Sequence, residues 1–458
     1  MGISAGKGFE VCVLAAAVTL AGCAVSPKVI TPDEQRDMIR ADQAALFQDQ
    51  APIAGPLTLD DALNRAVKYN LDHRLQQMQR VLEDRQLDLA HFDMLPRAMA
   101  QAGYIARNKE NSSTSLLVET GTESGQASTS VEKTRDNRSL SFGWNILDFG
   151  VSYYQAQQSA NRVLMMEERR RRVLQSLTQD VRGAFWQAYT AQEAEPEIRQ
   201  LLDRVNQALA DAERIERERL MPPAQILAYR KNLIEQAQQL EFLLADMVRA
   251  RVRLAAMINA APGSVFQLVA PVDQPLPEVT TPPAELELIA LSQRPELQEA
   301  RYETRNAALE ARKVLLRLLP GIEFGAGYYY DSNKYLVNND WVEGSMQVSW
   351  NIVNLFRYGD QKAFAEAQSD VVDARRLALT MAVIAQVHVA WHDYQQAARQ
   401  STRLQTLAEL ESALREQVAA STREAAGSQL EDIRAAGALV LAKVDAHFAG
   451  RPLPTEVG

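Results

Sequence analysis

Cysteine is almost absent from this chain of 458 residues, because its two cysteines, Cys12 and Cys23, both lie close to the N-terminus. The rest of the chain therefore has no disulfide and no thiolate metal site. Glycine is sparse, whereas alanine, glutamine, arginine, glutamate and leucine fill long stretches, which favours long helices over a compact multi-domain enzyme. The formal net charge of -9 argues against nucleic acid as a partner.

Recognisable catalytic motifs are also missing, since the sequence contains no glycine-rich phosphate loop and no nucleophile elbow. His388 and His392 have the spacing of a helical zinc motif, but no glutamate lies between them to act as the base. We therefore predict that the protein is not an enzyme and that it uses no cofactor or metal.

The N-terminus has the pattern of a secretion signal. An apolar run, Val11 to Ala21, is too short to span a bilayer permanently and predicts a signal peptide over residues 1–22. The run ends in Leu20-Ala21-Gly22-Cys23, which resembles the bacterial lipobox. That resemblance implies a lipid anchor on Cys23 and, with alanine at the next position, sorting to the outer membrane. The alternative is an ordinary cleaved signal in which the cysteine has no role.

Residues 23–56 carry little apolar periodicity and several prolines, so we predict a lipid-anchored, extended tether there. After Cys23 no segment is apolar for long enough to form a transmembrane helix. If the body of the protein crosses a membrane, it must therefore do so as strands.

The body is a tandem duplication. Leu95-Pro96 followed by Ala102-Gly103-Tyr104 recurs, at one offset, as Leu319-Pro320 followed by Ala326-Gly327-Tyr328, and Trp144-Asn145 recurs as Trp350-Asn351. We predict a first repeat over 57–270, a proline-rich linker over 271–283, a second repeat over 284–449 and a tail over 450–458. Each repeat has the order helix, strand, polar loop, strand, very long helix and returning helix.

Two stretches in each repeat alternate between apolar and polar side chains. A soluble sandwich would show the same alternation, but each stretch has about 9 to 12 residues, the length that a tilted transmembrane strand needs, and no further strands exist to form a second sheet. Four strands cannot close a barrel and open edges are not tolerated in lipid, so several chains must share one barrel. The apolar positions are Ala98, Ala100, Ala102, Tyr104 and Ala106; Leu140, Phe142, Trp144 and Ile146; Ile322, Phe324, Ala326, Tyr328 and Tyr330; and Met346, Val348, Trp350 and Ile352.

Two helices are predicted to be exceptionally long, from Gly150 to about Leu220, interrupted only by Pro196, and from Gly359 to about Ala425. At 1.5 Å per residue each is a rod on the order of 100 Å, with no compact core of its own. Heptad-like apolar positions with small residues predict a wall of side-by-side coiled coils. These positions are Leu174, Leu177, Val181, Ala184, Ala188 and Ala191; Leu233, Ala237, Leu240, Leu244, Met247, Leu254 and Ile258; and Val383, Val387, Ala390, Tyr394, Ala397, Ser401 and Leu404.

This doubled order resembles the TolC-type outer membrane efflux duct family over nearly all of residues 57–449, and with the lipobox it is similar to an outer membrane factor lipoprotein. The resemblance implies a mainly α chain with a small β part: a long α-helical coiled-coil tunnel plus four β-strands per chain that contribute to a trimeric, twelve-stranded transmembrane β-barrel. It also implies a homotrimer whose helical body lies in the periplasm.

The resemblance further implies two kinds of site. Helical hairpin tips contact a periplasmic adaptor protein, and they correspond to Leu220-Met221-Pro222-Pro223 and Ala426-Gly427-Ser428. The helix after the second tip carries an acidic ring that narrows the pore and would bind cations. Glu431 takes the first acidic position and Asp432 follows it, while Arg434 departs from the family pattern, in which a second acidic residue is often found there.

Two functions from different classes remain open on the sequence. The first is a passive outer-membrane exit duct of a tripartite efflux or type I secretion system, working with an inner-membrane pump and a periplasmic adaptor. The second is a lipid-anchored periplasmic coiled-coil scaffold without channel activity. A scaffold does not need four aromatic-faced strands placed symmetrically in two repeats, so the sequence favours the duct.

Overall fold

The structure of the protein is a computed structural model. The residues it describes are 27–48, 50–261, 263–270, 279–423 and 429–449. The chain divides into two units, Met1–Pro52 and Ile53–Gly458. Several predicted features lie outside the described residues: the signal peptide 1–22, the lipid-bearing Cys23, residues 271–278 of the linker 271–283, the second hairpin tip (Ala426, Gly427 and Ser428) and the tail 450–458.

In the first unit, the described residues include one helix, α1 (Pro32–Leu46). The Thr31 side chain accepts a hydrogen bond from the Glu34 backbone N–H, and the Glu34 carboxylate accepts one from the Thr31 backbone N–H at 2.9 Å. This capping box, with proline at the first helical position, favours a helix start. The extended conformation predicted for residues 23–56 is therefore wrong over α1, because capping stabilises a helix here without a regular apolar pattern.

The second unit contains both repeats, with the same order of elements in each. The first repeat has the helices α2 (Leu59–Tyr69) and α3 (Leu71–Phe92), strand β1 (Arg97–Ala106), the short strands β2 (Ser112–Ser113), β3 (Leu116–Leu117), β4 (Thr122–Glu123) and β5 (Ser128–Thr129), strand β6 (Thr134–Asn145), and the helices α4 (Ile146–Arg217) and α5 (Pro223–Met257). The second has α6 (Pro283–Gln293), α7 (Pro295–Leu316), β7 (Gly321–Asp331), β8 (Asp340–Ser349), α8 (Val353–Arg423) and α9 (Gln429–Ala449). The short strands form two small pairs, β2 with β5 and β3 with β4, inside the first polar loop.

Asparagine side chains mark the two points where a strand gives way to a long helix. The Asn145 side-chain oxygen accepts hydrogen bonds from the backbone N–H groups of Leu147 at 2.9 Å and Asp148 at 3.2 Å. Asn351 accepts one from Val353 at 3.1 Å. Such capping satisfies the N–H groups that a helix start leaves unpaired. The strands therefore end before Ile146 and Ile352, which the alternation alone had placed within them.

The strands β1, β6, β7 and β8 form one antiparallel sheet in that order. Each strand adjoins one helix in the chain: β1 follows α3, β6 precedes α4, β7 follows α7 and β8 precedes α8. These helices pack in the same order as the strands, α3 on α4, α4 on α7, and α7 on α8. Farther from the sheet, α5 packs on α4, and α9 contacts both α4 and α8. The helical layer thus continues the order of the sheet.

Helices α4 and α8 have 72 and 71 residues, which corresponds to rods of about 110 Å. Pro196 lies inside α4 and cannot donate a backbone hydrogen bond to the Gln192 carbonyl. The side chain of Gln192 instead joins α4 to the Leu268 backbone, donating to its carbonyl at 2.9 Å and accepting from its N–H at 2.8 Å. Before the proline, α4 packs in the apolar cluster that contains Phe185, and after it in the cluster that contains Ile198. The helix therefore continues through Pro196.

Two apolar clusters hold the helices together, and they contain most of the predicted heptad positions. One joins α2, α4 and the end of α5 around Phe185, and the other joins α4, α5 and α9 around Ile198. The predicted coiled-coil seam is confirmed at buried Val181, Leu233 and Val383. Among the described helices, none combines the length and the apolar character that a membrane-spanning helix requires.

Candidate functional site

The sheet has an apolar face that no other element of the described chain covers. Phe142 is 49% exposed and Met346 is 68% exposed, although both belong to the alternating apolar set. The register places Phe142 opposite Ala326, and Phe324 opposite both Trp144 and Met346, so the apolar side chains of β6, β7 and β8 share one side. An apolar face of this size requires an apolar environment or a partner.

The opposite face of the sheet is polar and rich in small residues. In one row across the four strands, Arg97 lies opposite Gly143, Gly143 opposite Gly325, and Gly325 opposite Ser345. On the same face the Tyr329 ring stacks on the Trp341 ring, with centroids 5.6 Å apart. A β-carbon on Gly327 would lie 2.7 Å from the Tyr329 ring, so glycine is what allows that ring to lie flat on the sheet.

The sheet is open. Within the described part of the chain, β1 and β8 each pair with a strand on one side only. An unpaired edge presents a row of backbone N–H and C=O groups to its surroundings. Because successive strands are antiparallel, β1 of one copy and β8 of another would also meet in antiparallel orientation.

The first hairpin tip lies between α4 and α5 and exposes apolar side chains. Leu220 and Met221 are exposed, and Pro222 and Pro223 form the start of α5. Arg219 adopts a left-handed conformation, with φ of 53°, a conformation that glycine commonly supplies at helix ends. The two helices are braced behind the tip by Arg230, which donates hydrogen bonds to Glu213 and Glu216.

The chain is similar to several solved structures of outer membrane channels. No family model matches it, and no curated protein matches it. The Campylobacter jejuni outer membrane channel CmeC is similar with a TM-score of 0.69, covering 95% of this chain and 89% of that chain at 12% identity. The outer-membrane channel OprN is similar with a TM-score of 0.64, covering 85% and 87% at 18% identity. The open state of the Neisseria gonorrhoeae outer membrane channel MtrE gives 0.60, covering 87% and 88% at 17% identity.

The chain has the TolC-type outer-membrane channel fold. The predicted fold, mainly α with a small β part, is confirmed by the element order and by these likenesses. The matching structures are channels rather than enzymes.

In this TolC-type fold the three predicted constriction residues do not form one set. Asp432 forms an ion pair with Arg204 of α4, and its side chain is only 19% exposed. Glu431 and Arg434 lie on exposed surface of α9. The Asp432 carboxylate is thus held between two helices, whereas the Glu431 side chain is exposed. The constriction itself stays a prediction.

A second ion cluster joins three helices and was not anticipated from the sequence. The Glu197 carboxylate lies 3.1 Å from Lys443 Nζ on α9 and 3.4 Å from an Arg415 guanidinium nitrogen on α8. Glu197 directly follows Pro196, in the middle of α4. No spacing within one helix could have indicated this cluster, because its members come from both repeats.

The two polar loops beyond the sheet are hydrogen-bonded to each other. The Asn333 side chain donates to the Ser130 carbonyl at 2.8 Å, and Arg135 lies 2.8 Å from the Asp331 carboxylate. Hydrogen bonds from the Lys334 backbone and side chain lower the pKa of Glu132, and Glu132 raises the pKa of Lys334. The long first loop, which the sequence predicts only as a polar connection, is therefore held against the second.

His388 contacts a glutamate on another helix. His388 Nε2 lies 2.7 Å from a carboxylate oxygen of Glu287 on α6. This contact joins α6 to α8 and accounts for His388 as part of a helix interface.

Proposed function

We propose that this chain is one protomer of a trimeric exit duct in the outer membrane, a passive channel from the periplasm to the exterior. The observation that carries the proposal is the open four-stranded sheet with an uncovered apolar face. In lipid, such a face is favourable, but the free edges of β1 and β8 would each leave backbone groups unsatisfied. Pairing β1 of one copy with β8 of the next removes both edges.

The helical layer ends at the same two edges as the sheet. On α3, at the β1 edge, Leu71, Leu75, Met78, Leu82, Leu89 and Phe92 follow the 4-3 spacing of a coiled-coil seam, yet all are exposed. On α8, at the β8 edge, Phe364, Val371 and Met381 are exposed. Helices with this pattern normally bury it against another helix. The exposed face of α3 in one copy could therefore pack against the exposed face of α8 in a second copy.

The same relation holds near the hairpin tips. There α5 exposes Leu227, Ile234 and Phe242, while α8 exposes Leu410 and Leu414. The protomer therefore has two exposed edges, each made of an unpaired strand and the exposed apolar face of neighbouring helices. Because the two edges are different and lie on opposite sides, they support a ring of copies rather than a stack. Bacterial single-chain barrels have at least eight strands, so one copy is too few, and the TolC-type resemblance implies three.

The proposed partners follow from the ends of the duct. The exposed apolar tip at Leu220 and Met221 supports contact with a periplasmic adaptor protein, with the second tip, outside the described residues, playing the same part. A passive duct has no energy source of its own, so the proposal includes an inner-membrane pump. The outer membrane is the proposed location, and a lipid on Cys23 would add an anchor to it.

Planar bilayer recording and a mass measurement test the duct together. The purified full chain should sediment in detergent as three copies and should give discrete conductance steps. Met78→Asp, which places a charge in the exposed α3 seam, should lower the fraction of trimer and the frequency of channel insertion. Gln77→Asp is the matched control, because Gln77 is exposed on α3 outside the seam.

A folded oligomer that is electrically silent would favour the scaffold without channel activity. A monomer that stays in the aqueous phase would remove both the barrel and the ring. An equal effect of Met78→Asp and Gln77→Asp would show that the seam is not an interface.

A further inference from the structure

A recess with a volume of about 400 Å³ lies on the polar face of the sheet, beside the end of α3 and the start of α4. All four long strands contribute to its lining, with Arg97 and Met99 of β1, Ser141 of β6, Glu323 and Gly325 of β7, and Glu343 and Ser345 of β8. One recess can touch all four strands only because the sheet curves toward its polar side. The volume is in the range of sites that bind small organic molecules.

The floor of the recess is made by residues with little or no side chain. Gly143, Gly325 and Ser345 follow one another across three neighbouring strands, and we call them the glycine floor. A β-carbon on Gly325 would lie 2.5 Å from the Ser345 hydroxyl oxygen. One on Gly143 would lie 3.5 Å from a carboxylate oxygen of Glu323. Because neither glycine has a β-carbon, the space above the floor stays open.

Four carboxylates and one guanidinium group line the recess, and within the described residues none of them forms an ion pair. The carboxylates belong to Asp93, Asp148, Glu323 and Glu343, and the guanidinium group belongs to Arg97. Four negative charges against one positive charge leave the recess with a net charge of -3. A recess with this charge attracts cations.

The two glutamates are the carboxylates that the fold does not explain. Asp148 lies in the first turn of α4, where a negative charge is favourable. Glutamate is uncommon in strands, yet Glu323 and Glu343 both lie in them, opposite uncharged residues. The hydrogen bond that Glu343 accepts from the Trp341 ring is long, at 3.4 Å. Both carboxylates are therefore available to a ligand.

Glu323 and Glu343 lie on either side of the glycine floor. On the polar face of β7, Glu323 is one position before Gly325, and Glu343 lies opposite Gly327, one position after it. At about 3.3 Å per residue the two backbone positions are about 13 Å apart along the strands. Among the described residues, no three side chains of the metal-binding types are close enough to hold a metal ion. The spacing fits a larger, organic cation.

Apolar and aromatic side chains complete the lining. Met94, Leu95 and Phe149 lie on the helix side of the recess, and Tyr329 lies toward the other end of β7. The Tyr329 ring is fixed by its stack on Trp341. Aromatic rings attract cations, and quaternary ammonium groups in particular. The recess therefore combines negative charge with surface for an apolar group.

We propose that the recess binds organic cations that carry an apolar part. The positive nitrogen lies above the glycine floor between Glu323 and Glu343, and the apolar part contacts Tyr329 and Met99. This role in transport rests on the proposed duct, because only a closed barrel makes the polar face the lining of a lumen. Three copies of the recess would then face the path of the cargo and would concentrate organic cations there.

Binding of benzyltrimethylammonium to the purified full chain in detergent, measured by isothermal titration calorimetry, tests the recess directly. Glu323→Gln with Glu343→Gln removes two charges at nearly constant side-chain size and should weaken binding at least about tenfold. Glu119→Gln with Glu123→Gln is the matched control, because both carboxylates are exposed in the first polar loop, outside the recess. Equal affinities of the two double variants would overturn the proposal.

Arg97→Gln provides a readout of the opposite sign. It removes positive charge from the recess, so it should strengthen binding of benzyltrimethylammonium at least about twofold. A change that merely disturbed the sheet would weaken binding instead. Weaker binding in Arg97→Gln as well as in the glutamate variant would therefore overturn the proposal, since disruption rather than charge would explain both.

Two further probes define the class of ligand. Benzenesulfonate has a similar ring with a negative group and should not bind, and equal binding of both aromatic probes would overturn the proposal. Magnesium that binds through Glu323 and Glu343, without any binding of benzyltrimethylammonium, would replace it with an inorganic cation site. These titrations do not depend on conductance. A silent protein that binds the probe would remove the duct alone, and a conducting channel that does not bind it would remove the recess alone.

Discussion

Arg204 on α4 and Asp432 on α9 form an ion pair that joins the two repeats, with side chains 35% and 19% exposed. The pair lies beside the apolar cluster formed by α4, α5 and α9. It therefore links the helix with the predicted constriction residues to the longest helix of the first repeat.

Removing one member of this pair should weaken the contact between α4 and α9. Arg204→Ala leaves the Asp432 carboxylate half-buried and unpaired, and we expect a loss of about 1 kcal/mol in the free energy of unfolding. The exchange Arg204→Asp with Asp432→Arg should recover most of it. Thermal unfolding of the native protein, Arg204→Asp, Asp432→Arg and the double exchange is the measurement. A double variant no more stable than the two single exchanges would show that the pair contributes nothing.

Glu431 should affect conduction rather than stability. Because it is exposed on α9, Glu431→Gln should change the free energy of unfolding by less than about 0.5 kcal/mol. It should, however, weaken block of the channel by multivalent cations, because a symmetric carboxylate ring binds cations. Single-channel recording compares it with Glu241→Gln, an exposed change on α5. If both variants behave like the native channel, Glu431 has no place in the constriction.

Lys313 should be a large contributor to the contact between α4 and α7. Its side chain is 7% exposed, and its ammonium group donates to Gln155 at 2.8 Å and Gln158 at 3.0 Å beside the Glu310 carboxylate. Lys313→Ala strips these acceptors of their donor and should cost about 2–3 kcal/mol. Lys313→Met, which keeps the packing volume, should cost less.

The matched control for Lys313 is Lys362, which also pairs with a glutamate on its own helix but has a side chain 52% exposed. Lys362→Ala should cost less than about 0.5 kcal/mol. Chemical unfolding followed by circular dichroism measures all three variants. Equal losses at Lys313 and Lys362 would mean that burial of the Lys313 ammonium group does not matter.

Gly327 should tolerate substitution poorly. A β-carbon there would lie 2.7 Å from the Tyr329 ring, so Gly327→Ala should displace that ring from Trp341 and cost about 1–3 kcal/mol. Gly344→Ala is the control, because its β-carbon would meet no atom within 4 Å. Near-ultraviolet circular dichroism reports the stacked pair. An unchanged spectrum for Gly327→Ala would show that the ring adapts without leaving its partner.

The loop contact between Glu132 and Lys334 should weaken in acid. Hydrogen bonds from Lys334 lower the pKa of Glu132, so this contact is fully formed above the usual carboxyl pKa of 4.5 and is lost as the pH falls through the lowered value. The protection of the first-loop amides, expressed relative to the exchange of an unstructured chain at the same pH, should therefore fall at low pH. In Glu132→Gln the protection should lose this pH dependence, and an identical acid response in both proteins would assign it to another group.

The duplicated order of elements could be predicted because its signals are local. The alternation of Phe142 and Trp144 has the two-residue period of a strand, and the heptad positions around Val181 have that of a packed helix. The helix α1 was missed because its signal is a cap rather than a period, although Thr31 and Glu34 are three residues apart and could have indicated it.

Contacts between helices that are distant in the chain could not be predicted from the sequence. The first hairpin turn lies where the resemblance implied, and its Pro222-Pro223 break is a feature of adjacent residues that the sequence shows directly. The partner of Asp432 could not be found in this way, because Arg204 belongs to another helix and their meeting depends on how both helices are rotated and shifted against each other. The same holds for Glu197, whose two partners come from the second repeat.

The sequence by itself determined the duplication, the types and lengths of the main elements, and the number of long strands, because periodicity and strand count are properties of a single chain. Only the tertiary structure decided that Asp432 meets Arg204, that Glu197 meets two cations of the second repeat, and that the two polar loops are joined. Those outcomes depend on contacts between residues far apart in the chain, and no spacing along one helix sets the rotation or register that brings them together.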